Sequence, residues 1–167
     1  MKKFFVAAIL VIAPLSVFSQ KFGSVNVSDV IMMMPEYKAA ENELQSLQAM
    51  YMEELEYIQK EYEKKVDDYK AQHDNLSEDL RERREEEIMA SRQKINQYIQ
   101  ESDIKYQNKQ VELMDNIQNK ALKAIQSVGE EGGFVCIFDI SGAAVPFVNP
   151  TLTTDVTEEV KSKLGIK

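Results

Sequence analysis

Between Glu36 and Val128 the chain runs 93 residues without a Gly or Pro, and its apolar positions recur at steps of three and four. In the first half they fall at Tyr37, Ala40, Leu44, Leu47, Tyr51, Leu55, Ile58, Tyr62, Val66, Tyr69 and Leu76, with only His73 interrupting the series. That spacing keeps one face of a helix apolar, and the surrounding Glu, Lys, Gln, Met and Ala are good helix formers. The mean step lies between about 3.5 and 3.67 residues, which predicts a coiled coil with little supercoil. The second half has a poorer stripe, in which Arg84, Ser91, Ser102 and Gln110 interrupt a series from Leu80 to Val128. A further apolar face, Ile104, Val111, Met114, Leu122 and Ile125, lies on another side of the same segment and predicts burial on two sides near its end. Pro35 suits a first helical position, and Gly129 suits a left-handed cap. Between the stripes, His73 to Glu78 holds two competing helix starts, Asn75 with Glu78 three residues on, and Ser77. The pattern predicts a hairpin of two long antiparallel helices over 35–128 with its tip near 73–78.

The flanking segments have a different period. Lys21 to Val27 alternates as a half-buried strand does, and Phe134 to Phe138 is a short continuous apolar run that predicts a fully buried strand, with Cys136 a small buried residue in it. Ile140-Ser141-Gly142 reads as the turn of a β-hairpin whose second strand is Ala143 to Val148, and Asp155 to Glu158 as a capping box that opens a short helix closed by Gly165. Residues 20–34 and 129–167 thus predict one small β-rich head built from both ends of the chain, and the fold class is mainly α with that head at the base of the arm. All seven Tyr lie in the helical segment, whereas Phe22, Phe134, Phe138 and Phe147 lie in the head. Tyr tolerates a half-wet surface and Phe a dry one. A head this small, with a lone cysteine and so no internal disulfide, is marginal by itself. Assembly through Val25, Val27, Val135, Ile137 and Phe138 would hide the sheet edges that one chain cannot close.

Residues 1–19 read as a secretory signal peptide, with Lys2-Lys3 ahead of an apolar run from Phe4 to Val17 that is shorter than the roughly 20 residues of a membrane span. The expectation is an exported, soluble protein. Losing Lys2 and Lys3 takes the net charge from −8 to −10, which argues against nucleic acid as a partner. No phosphate-binding Gly loop or nucleophile elbow is present, and His73 is the only histidine, so the reading is a non-enzyme with no cofactor and no metal. Met52, Tyr57, Met89 and Tyr98 fall off the stripes. Flexible or amphipathic side chains of this kind suit loose contact with many partners and are the candidate client-binding residues.

Taken together, the leader, KFGSVNVSDVI, the Glu/Lys/Gln-rich hairpin, EEGGFVCIFDISGAAVPF and DVTEEVKSKL resemble the OmpH family of Skp-like periplasmic chaperones over essentially the whole mature chain. The resemblance implies a homotrimer whose strands form a central body, with helical arms enclosing a cavity. It further implies a periplasmic holdase that keeps unfolded outer-membrane proteins from aggregating, without ATP. The alternative is a structural or adaptor coiled coil of the cell envelope. The family's best-known member is strongly basic and this chain is acidic. Arg81, Arg83 and Arg84 near the tip are interleaved with Glu82 and Glu85 to Glu87, which reads as a salt-bridged solvated face, so a lipid or lipopolysaccharide site is not carried over.

Overall fold

A computed structural model describes residues 20–166, so the leader expected over 1–19 lies outside the described residues. The elements run β1 (Lys21–Val25), α1 (Val27–Met33), α2 (Pro35–Gln72), a 3₁₀ turn (His73–Asn75), α3 (Glu78–Gly132), β2 (Phe134–Asp139), β3 (Thr153–Asp155) and α4 (Thr157–Lys163). The fold is mainly helical, with long helices standing on a small three-stranded sheet.

Helices α2 and α3, of 38 and 55 residues, lie antiparallel and reach about 57 and 80 Å at about 1.5 Å per residue. Pro35 opens α2, where its missing N–H costs nothing. The tip turns through the 3₁₀ segment, and Ser77, not Asn75, is the cap of α3. The Ser77 carbonyl accepts from the Leu80 and Arg81 amides, and Arg81 Nε donates to the His73 carbonyl at 3.0 Å. At its far end α3 runs beyond Gly129 to Gly132. The left-handed residue that ends it is Gly133, φ 63°, because Glu130 and Glu131 continue a helix readily and only Gly133 must reverse the chain.

The two helices are joined differently along their length. Near the base Ala40, Ile117 and Ala121 are buried with Met34. Farther out, Ile58 and Ser102 are the buried arm positions among the described residues, and polar pairs cross the gap. Lys109 pairs with Glu43 at 3.0 Å, and Lys65 Nζ donates to Ser91 Oγ at 2.7 Å. Tyr69 Oη donates to Glu85 Oε1 at 2.5 Å, a bond that raises the Tyr69 pKa. The polar gap at Ser91 in the second stripe is therefore a cross-link. Such exposed bonds are weakened by competing water and screening, so the outer arm is held more weakly than the base.

The sheet has the order β2-β1-β3 with all neighbours parallel. This corrects the expected hairpin, since residues 143–148 form no strand and β2 connects to β3 through irregular chain. The reason is turn chemistry repeated three times in nineteen residues. Asp139 Oδ1 accepts from the amide and hydroxyl of Ser141, Asn149 Oδ1 from those of Thr151, and Asp155 Oδ1 from those of Thr157, all within 2.6–3.0 Å. A second correction concerns Val27, which does not extend β1. Asn26 Oδ1 accepts from the Asp29 amide and caps α1 instead.

Val25, Val30, Ala124, Val128, Val156 and Val160 form the core of the head, with Ile137 and Phe134 packed against it. Gly23 leaves room for that packing, because a Cβ there would lie 3.0 Å from Ile137 Cγ1 and 3.2 Å from the Phe134 ring. Leu164 touches both this cluster and the one at the arm base, so head and arm share a continuous apolar base.

Candidate functional site

On the arm, three tyrosines gather where the interface widens. Tyr98 stands edge-on to Tyr51, with centroids 6.4 Å and planes 82° apart, and its hydroxyl donates to the Tyr51 carbonyl at 3.4 Å. With Met52, Leu55, Ile99 and Tyr106 they line a groove of about 300 Å³ edged by Gln48, Ser102 and Asp103. The small buried Ser102 makes space for the rings around it.

The four candidate client-contact residues are placed in two settings. Met52, Tyr57 and Met89 are 61, 58 and 59% exposed. Tyr57 is satisfied at one end, its hydroxyl donating to Glu61 Oε1 at 3.1 Å, which raises its pKa and leaves the ring facing water. Tyr98, in contrast, is half-buried between the helices, while Ile99, which the three-and-four stepping of the second series from Leu80 to Val128 would turn inward, faces outward at the groove. The stripe slips by one residue at this pair. Farther down α3, Ile104, Val111 and Leu122 are exposed along one face, so within one chain the second apolar face is covered only at Met114 and Ile125.

The head presents a second apolar surface. Strand β2 is an edge strand and is not fully buried. Val135 lies at an irregularity in its pairing with β1 and is 63% exposed, and Cys136, expected inside, is exposed. Among the described residues Val135 and Cys136 are left uncovered. The five residues expected at an assembly surface are divided: Val25 is fully buried within the subunit, Val27 and Ile137 are partly buried against its core, Phe138 stacks on Phe22 at 6.2 Å, and Val135 points outward. Phe147, read from the sequence as a dry head residue, is instead exposed, and with Leu152 it lies beside the Phe22–Phe138 stack. Among the described residues no group of three or more His, Cys, Asp or Glu could hold a metal ion, and no helix is long and apolar enough to cross a membrane.

Comparison with known proteins follows this geometry. The sequence model of a family described as outer membrane protein (OmpH-like) matches residues 21–164. No curated protein matches by sequence. Among solved structures, the crystal structure of an OmpH-like candidate outer membrane chaperone from Caulobacter crescentus CB15 superposes with a TM-score of 0.75 at 15% identity, covering 87% of this chain and 83% of that one. The likeness is one of fold.

Proposed function

Because the chain belongs to the OmpH-like outer membrane protein family, we propose that it is an ATP-independent periplasmic holdase whose arms shield unfolded outer-membrane proteins from one another. The observation that carries the reading is the apolar surface the arm leaves uncovered, with Met52, Met89, Ile104, Val111 and Leu122 all exposed on helices that already have a partner for their stripes. A purely structural coil has no use for that surface, which costs solubility. The open face of β2 supports assembly of several copies through their heads, which would set the arms around a common space. Weak contacts on several arms then add to useful avidity while each one releases quickly, and no nucleotide is needed.

The test is dilution of an unfolded β-barrel protein from urea with the mature chain at stoichiometric ratio and no nucleotide. Suppressed aggregation is the expected result. Aggregation unchanged by the assembled protein would overturn the reading in favour of a structural coil.

A further inference from the structure

The arm groove carries chemistry that shielding an apolar chain does not require. Three of its lining residues are tyrosines, and Asp103 is the only charged one. Two lysines lie near on α3, but Lys105 pairs with Glu101, and Lys109 with Glu43 and Glu112. Among the described residues Asp103 makes no ion pair or side-chain hydrogen bond and is exposed. An uncompensated negative charge therefore stands at the edge of an aromatic groove. Tyr98 is tied to the Tyr51 carbonyl, which holds the ring in place at the groove wall.

A guanidinium group fits this combination better than other side chains do. It is planar and weakly hydrated, stacks on aromatic faces, and pairs with a carboxylate, while its methylene stem can lie on apolar surface. A lysine ammonium gives up more hydration for the same contacts, and a client carboxylate would meet Asp103 with like charge. The volume of about 300 Å³ stands at the bottom of the usual range for ligand pockets, enough for one long side chain but not for a folded segment.

We propose that this groove receives an arginine side chain of an unfolded client segment, its guanidinium against the tyrosine rings and Asp103 and its stem against Met52, Leu55 and Ile99. This rests on the client-holding reading of the arm and deepens it, because it gives an acidic chaperone a preference for apolar segments punctuated by arginine.

The experiment uses two short fluorescent peptides that differ at one position, arginine in one and citrulline in the other, each between apolar residues. Citrulline keeps the shape and removes the charge. Titrated with the assembled mature chain and read by anisotropy, the citrulline peptide is expected to bind about five-fold more weakly, the order of one exposed cation–π contact with an exposed ion pair. That difference should shrink in Asp103→Asn, whose exposed side chain supports no packing and which keeps only the contact with the tyrosine rings, and shrink with added salt. Equal binding of the two peptides, binding of neither, or an undiminished preference in Asp103→Asn overturns the proposal. Aggregation of an unfolded barrel protein is followed in parallel. An arginine preference without protection would overturn the holding function and leave the groove's assignment standing, and protection without the preference would do the reverse.

Discussion

The amide of Asn26 donates to Thr157 Oγ1 at 3.1 Å, joining positions 131 residues apart, and the same hydroxyl donates to Asp155 Oδ1 at 2.6 Å. The start of α1 and the start of α4 are thus held by one buried oxygen. Thr157→Val keeps the shape and strands the Asn26 amide, which should cost about 1–3 kcal/mol of stability. Thr157→Ser should retain most of it. Urea unfolding of both variants checks this, and equal midpoints would reject the role of the hydroxyl.

Acidification should loosen the arm base. Glu36 Oε1 accepts from Lys120 Nζ across the base of the arm, and that bond, with the residue's own backbone hydrogen bond, holds the Glu36 carboxyl below its ordinary range. A depressed carboxylate contributes stability that is present above its unfolded pKa and lost as pH falls through its folded one. Glu36→Gln is expected to flatten part of the acid limb and to cost less than about 1 kcal/mol at neutral pH, since the pair is half-exposed and partly screened by solvent. Unfolding midpoints measured down to pH about 3 should separate the two proteins only above that limb.

Assembly through the head can be separated from folding of the head. Ile137 packs on the subunit's own core, so Ile137→Asp should unfold it. Val135 has no such role, and Val135→Asp is expected to give a folded monomer in analytical ultracentrifugation. An unmodified protein that stays monomeric at every concentration would contradict the assembly.

Client contact should be spread thinly. Met52 and Met89 each offer about 1 kcal/mol at roughly 25 cal/mol per Å² over a partly covered side chain, and the Tyr57 ring adds a further apolar contact. Changing the three together to Gln or Ser should weaken the binding of an unfolded barrel protein about ten-fold or more without lowering the helix content. Single changes should fall near the limit of measurement. Tyr98 belongs in a separate variant, because it also holds the two helices together.

The long helices were legible because their period repeats many times and small phase errors average out. Locally the phase could still slip, as at Tyr98 and Ile99, where two bulky neighbours compete for one position and a step of 3.6 residues decides by a few tens of degrees. The short elements were less legible because single side chains overrule pattern there. Asn26 converts an alternating stretch into a helix start, and Asp139 and Asn149 bend an apolar segment that reads as a strand. Cys136 and Val135 read as buried because an apolar run cannot say whether its cover comes from the same chain. The groove was half legible. Met52 and Tyr98 stood out by periodicity, while Tyr51, Tyr106 and Asp103 required knowing which faces meet.

The parallel pairing of β1 with β2 also sets the order in which the molecule can be made. Strand β1 comes at the beginning of the described chain, yet its neighbour starts only at Phe134, and Lys21 Nζ reaches the Gly132 carbonyl across 111 residues. Closing a flexible loop of that length would cost about 4 kcal/mol in chain entropy before the strands gained anything. The two long helices remove most of that cost, because zipping from the tip brings Pro35 and Gly132 back to one place through contacts between successive turns. Folding should therefore run from the far end of the arm toward the head, with the first strand left waiting until about the last fifth of the chain has arrived. A chain still being made would have an arm before it had the surface through which we propose that copies join.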